Sequence, residues 1–87
     1  MRFAESADVE RMVRRTIGAT PIGERVTSIT IEKALDEDGD EYLRVALRLD
    51  KLANLKVEEL AHMVQTIERA VAEIDERFAS VRLAEAA

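Results

Sequence analysis

The sequence predicts an α+β fold: a two-layer αββαβ sandwich, with a three-stranded mixed sheet and two helices on one face. Three observations lead there. Thr27, Ile29 and Ile31 alternate with other residues, Leu43, Val45, Leu47 and Leu49 alternate again, and Asp36-Glu37-Asp38-Gly39-Asp40-Glu41 lies between the two runs. Period-two patterning on both sides of a turn-rich stretch reads as strand, turn, strand with one apolar face. Leu60, Val64, Ile67, Val71, Ile74 and Phe78 then recur at spacings of four and three. That is the stripe of a helix able to cover such a face.

The elements follow in order. Ser6 suits an N-cap, and Asp8 and Glu10 lie in the first turn, where acids complement the helix dipole. Val9, Met12, Val13 and Ile17 continue at helical spacing to a stop at Gly18, which predicts a helix over about 6–17. Thr20-Pro21-Ile22-Gly23 is a connector. Strands are expected over about 25–34 and 41–50. A two-residue Asp38-Gly39 loop would set Ile31 against Ala46 and mix the faces. A three-residue Glu37-Asp38-Gly39 loop sets Ile31 against Val45, Ile29 against Leu47 and Glu32 against Arg44, so it is preferred. Its last residue commonly adopts the left-handed region, and Gly39 stands there. Asn54 or a neighbour caps a helix over about 56–77, and Phe78-Ala79-Ser80-Val81-Arg82-Leu83 reads as a third strand. A helix between strands two and three returns the chain to the same end, so those strands should pair in parallel. Ala84-Glu85-Ala86-Ala87 reads as a frayed tail.

The totals bound the function. Eighty-seven residues make one domain, 1–87, and with 47% hydrophobic but 3% aromatic residues its core is aliphatic, with Phe3 and Phe78 as candidate additions. A core this small favours self-association. There is no cysteine, which excludes disulfides, thiolate metal sites and cysteine nucleophiles and fits a cytoplasmic setting. Met1-Arg2-Phe3-Ala4-Glu5-Ser6 has no apolar leader, and no run is long enough to span a bilayer, so no membrane partner is expected. The net charge of −5 argues against phosphate backbones, and one Tyr without Trp offers no stacking platform, so nucleic acid is not an expected partner. Residues 1–25 carry five Arg against four acids, and Arg11, Arg14 and Arg15 could form a basic strip on the first helix, although a solvated helix face is the commoner reading.

No catalytic constellation is visible. Ser6, Ser28 and Ser80 lack an elbow motif, three scattered glycines cannot form a phosphate loop, and no carboxylate pair has an apolar setting. The chain is therefore read as a non-enzyme without a cofactor. Asp36, Asp38 and Asp40 faintly suggest a calcium loop, but placing Gly39 at its sixth position puts Ala34 and Val45 where oxygen ligands belong. His62, the only histidine, stands four residues after Glu58, and the pair could give two metal ligands where a specific site needs three or four. The outer sheet face should carry Val26, Ser28, Thr30 and Glu32, then Tyr42, Arg44, Ala46 and Arg48, then Ser80 and Arg82. Of these, Tyr42, Arg44, Arg48 and Arg82 are residue types that suit an interface.

With Gly39-Asp40-Glu41-Tyr42-Leu43 ending the hairpin, Leu47-Arg48-Leu49-Asp50 ending strand two and a long helix leading to Val81, residues 6–84 resemble the cytoplasmic C-terminal domain of cation diffusion facilitator transporters. The resemblance is one of topology and apolar pattern. It implies a ferredoxin-like, dimeric module that binds divalent cations between subunits, and without a membrane span it does not imply transport. The run from Asp36 to Val45, with Asp75-Glu76-Arg77-Phe78-Ala79-Ser80-Val81, is also similar to small bacterial proteins, some of them associated with toxins. That likeness implies an antitoxin-like binding role. The KH-like fold shares related topology, but Thr20-Pro21-Ile22-Gly23 lacks its paired-glycine loop. The leading expectation is a cytoplasmic protein-interaction module, a homo-oligomer or a partner of another protein. The alternative is a divalent-metal sensor built on His62 and Glu58.

Overall fold

The computed structural model describes residues 3–86, so Met1 and Arg2 of the opening segment and Ala87 of the expected tail lie outside the described residues. Its elements run α1 (Ser6–Gly18), β1 (Val26–Leu35), β2 (Glu41–Leu49), α2 (Val57–Ile74) and β3 (Ala79–Glu85), with single 3-10 turns at Gly23–Arg25 and Leu52–Asn54. The sheet order is β1-β2-β3, antiparallel between the first pair and parallel between the second. Both helices lie on one face, α1 towards β1 and α2 towards β3, and they pack against each other. The expected αββαβ sandwich is the observed one.

The hairpin register is the one its sequence favours. Ile31 pairs with Val45, Ile29 with Leu47 and Glu32 with Arg44. Asp36 closes the loop: its N–H donates to Asp40 O at 2.9 Å, and its Oδ1 accepts from the Asp38 and Asp40 N–H groups, each at 2.9 Å. Gly39 has φ 83°, where a side chain is strained even with open space around it. Gly39→Val should lower stability by about 1 kcal/mol or more. A urea midpoint unchanged by the substitution would remove the left-handed turn as a requirement.

The core joins Val9, Val13 and Ile17 of α1 with Leu43, Val45, Leu47 and Leu49 of β2, and with Met63, Ile67 and Val71 of α2. Ile29 and Ile31 are only half-buried, because β1 is an edge strand that the helices cover incompletely. Gly23 answers to a close approach: a Cβ there would stand 1.9 Å from Ile17 O.

Several local expectations are corrected. Val26 pairs with Leu49 but Ser28 with Arg48, so a bulge at Thr27 turns Val26 from the outer face to the core side. Ser6 is the first helical residue of α1 and not its cap, which is Glu5. Asn54 ends a 3-10 turn, and α2 starts after Lys56, whose N–H donates to Glu59 Oε1 at 3.2 Å. Helix α2 stops at Ile74, three residues early, because Asp75 leaves helical geometry with φ −146° and ψ 139°. Phe78 therefore leaves the α2 stripe and is exposed, as is Phe3, so neither joins the core. Ala84 and Glu85 belong to β3, and Ala86 N–H donates to Leu49 O at 2.9 Å, so the described tail is pinned. On α1, Arg11 pairs with Asp8 at 2.9 Å and Arg14 with Glu10 at 3.0 Å, which agrees with the commoner reading of Arg11, Arg14 and Arg15 as a solvated face.

Candidate functional site on the outer face of the sheet

Because Leu43, Val45, Leu47 and Leu49 point inward, the even-numbered residues of β2 point away from the helices. The pairings set this outer face in four ranks. The first holds Ala34 and Tyr42, with Phe78 stacked beside Tyr42 just ahead of β3, and the second Glu32, Arg44 and Ser80. The third holds Thr30, Ala46 and Arg82, and the fourth Ser28, Arg48 and Ala84. No element of the chain covers this face among the described residues.

Chemistry concentrates at the first two ranks. The Tyr42 and Phe78 rings stack at 4.9 Å with planes 4° apart, yet Phe78 remains 57% exposed. An aromatic pair of this kind is usually buried. Arg44 Nη2 donates to the Tyr42 hydroxyl at 3.2 Å. That bond, with Glu32 adding to it against partial burial, raises the Arg44 pKa above its ordinary value. Arg44 Nε is hidden from water and has no hydrogen-bond partner, a donor left over on an otherwise open face.

Behind the aromatic pair lies a clasp that the sequence reading missed. Arg77 Nε donates to Asp75 Oδ1 at 2.9 Å and Nη2 to Asp75 Oδ2 at 2.6 Å, a bidentate pair with both side chains buried. Asp75 Oδ2 also accepts from Ala4 N–H at 2.8 Å, and Arg77 Nη2 reaches Ala4 O at 3.2 Å. Glu41 lies 3.5 Å from Arg77 Nη1, and the Phe3 ring sits 4.3 Å from the guanidinium carbon. The Arg77 side-chain hydrogen bond holds the Asp75 carboxyl down to about 2, against burial, and Asp75 raises Arg77 in turn. Two charges two residues apart do not face each other on a helix. That spacing, between Ile74 and Phe78 of the expected stripe, was the available signal.

The remaining candidates lie elsewhere. His62 and Glu58 are exposed on α2, beside a shallow groove lined by Pro21, Ile22 and Glu59. Glu59 is already engaged in capping the helix. Among the described residues, Asp36, Asp38 and Asp40 are the one group of three acidic or histidine side chains close enough to share an ion, and Asp36 is occupied in holding the turn. The structure brings together Tyr42, Arg44, Arg48 and Arg82 on one face. It does not bring His62 or Glu58 to them. No helix of the described residues is long and apolar enough to cross a membrane.

No protein-family model matches the sequence, and no curated protein does. Solved structures match its fold. CzrB, described as a candidate zinc transporter, is similar with a TM-score of 0.59 and 19% identity over 97% of this chain and 99% of that one. MamM-CTD is similar with a TM-score of 0.51 and 14% identity over 95% and 99%. A nickel form of MamM-CTD gives 0.50 and 15% over 93% and 96%. At these identities the likeness is one of fold, and in its topology the chain resembles the cytoplasmic C-terminal domains of cation diffusion facilitator transporters.

Proposed function

We propose that this chain is a non-catalytic protein-interaction module that self-associates through the outer face of its sheet, in a cytoplasmic setting. The observation that carries the reading is the uncovered face itself, with exposed Phe78 stacked on half-buried Tyr42 and the unpartnered Arg44 Nε. A one-layer helical cover leaves such a face to water or to a partner. Tyr and Arg are the residues that interfaces concentrate. The likeness to the transporter domains supports the same reading through the dimeric architecture that the sequence resemblance implies. Sedimentation equilibrium tests it. At ~100 μM the chain should be mostly dimeric if the dissociation constant is about 10 μM. Arg44→Glu with Arg48→Glu should shift it to monomer, because two carboxylates would replace cations on a face that closes. A clean monomer at that concentration would overturn the reading.

The second reading is a divalent-metal module, for which the exposed Glu58–His62 pair beside the Pro21–Ile22 groove is the supporting observation. Titration calorimetry with zinc, nickel and calcium decides it. Binding tighter than about 0.1 mM that disappears in His62→Ala would favour it, given the affinities of metal sites. No heat would count against it.

A further inference from the structure

β1 is one margin of the sheet, and among the described residues no strand lies beyond it. Its unused backbone groups follow from the hairpin. Asp36 N–H donates to Asp40 O, so that pair is hydrogen-bonded, and bonded pairs alternate along an antiparallel ladder. Ser28, Thr30, Glu32 and Ala34 are therefore the β1 residues bonded to β2. The far side of β2 agrees: there the odd-numbered residues act, Leu43 N–H donating to Phe78 O and Leu49 O accepting from Ala86 N–H. On β1 the N–H and C=O groups of Ile29, Ile31 and Lys33 point away from the sheet.

Their side chains lack cover on the same side. Ile29 and Ile31 face the helix layer but are half-buried, whereas Val45 and Leu47 opposite them are closed. A groove lies between the strand and α1, lined by Arg14 and Ile17 of the helix and by Val26, Thr27 and Ile29 of the strand. Edge strands are commonly guarded by a bulge or a lysine. Here the bulge is at Thr27 and the lysine is Lys33, and the stretch between them is unguarded. Free backbone groups beside a groove that takes alternate side chains are what strand addition uses.

We infer that β1 is a docking edge for an extended segment of another protein, added antiparallel along Ser28–Lys33. Cross-strand complementarity states its chemistry. An acid belongs opposite Lys33 and a base opposite Glu32. Branched apolar residues belong opposite Ile31 and Ile29, and a threonine opposite Thr30. Along the partner the order is acid, base, apolar, threonine, apolar. A second copy of β1 meets this badly. Pairing Ile29 with Ile31 sets Lys33 on the Thr27 bulge and Glu32 on Ser28, and pairing Ile31 with itself sets Ile29 on Lys33. The edge is separate from the outer face, and its use does not require the self-association proposed above.

The probe is an end-blocked, fluorescein-labelled peptide of sequence TEKVTVS, read by anisotropy as the chain is added up to ~1 mM. Saturable binding is expected, with a dissociation constant on the order of 100 μM for so small a contact. N-methylation of either valine, whose N–H faces β1, should weaken it at least about tenfold. N-methylation of the threonine between them, whose N–H faces outward, should not. Replacing the peptide's glutamate by lysine should weaken binding about fivefold, and Lys33→Glu should reverse that preference. Lys33 is exposed, and circular dichroism checks that the variant folds. No binding over the titration overturns the inference. So does binding that ignores valine methylation, or a charge preference that Lys33→Glu leaves unchanged. Sedimentation with and without peptide reads the remaining occupant: a dimer that the peptide dissociates would assign the edge to a second copy and overturn the inference, while a dimer that keeps its mass with peptide bound supports it.

Discussion

Leu47→Ala and Ile67→Ala should each remove about 2–5 kcal/mol of stability, the cost of emptying a site that cannot collapse. Leu47 is 1% exposed at the centre of the sheet and Ile67 is 0% exposed at the centre of α2, within one cluster. A small domain has only about 5–15 kcal/mol in total, so either substitution should lower the urea midpoint severely. β2 is bordered by strands on both sides and covered by the helices, so little can move in to fill the space. The midpoint and its slope read the effect, with an unchanged slope expected for a native state that is only destabilised. Losses below about 1 kcal/mol at both positions would mean that these side chains do not meet in a closed core.

Arg77→Ala should be nearly as damaging, at about 3–5 kcal/mol, because it strands a buried carboxylate. Asp75 would keep only the backbone donor of Ala4 and that of Arg77's own position, since the substitution removes the guanidinium but not the peptide N–H. The same pair sets an acid limit. The Asp75 carboxyl lies at about 2 in the fold against 3.8 unfolded. A depressed carboxylate contributes stability that is fully present above its unfolded value and lost as the pH falls through the folded one, here between about 4 and 2. The contribution is on the order of 2 kcal/mol. Asp75→Asn should be less stable near neutrality and should flatten the fall of the urea midpoint across that window. A parent-like fall in the variant would assign the acid sensitivity to other groups.

The hairpin was legible because its information is local. Alternation, loop length and one glycine each demand the same register, so Ile31 against Val45 follows from three agreeing constraints. The parallel β3 was legible from connectivity, since a helix has to carry the chain back. The end of α2 was not. Neither Pro nor Gly interrupts Ile74-Asp75-Glu76-Arg77-Phe78, and Phe78 continues the apolar spacing. Beyond Ile74 stands the Asp75–Arg77 ion pair, hydrogen-bonded to the distant Ala4 backbone, and propensity carries no information about that partner. The same gap hid the stacking of Phe78 on Tyr42. The bulge at Thr27 escaped for a related reason: β-branched residues on both sides of it suit a strand whichever way they face. Of the outer face, Tyr42, Arg44, Arg48 and Arg82 were readable by parity, whereas its rank order needed the β2–β3 register.

The Asp75–Arg77 clasp also orders events in time. The hairpin closes over a three-residue loop, and such turns form within about 1–10 μs. β3 must wait for α2, whose whole length separates it from β2. The bonds to Ala4 bridge 71 and 73 positions, among the most distant polar contacts in the chain, so the entropy of closing that loop is offset only when the intervening layers already stand. The clasp is therefore a latch that engages last. During synthesis Ala4 emerges early and stays unpartnered until Arg77 appears. Until then the start of the chain can move independently of the sheet, and latching makes the two a single body.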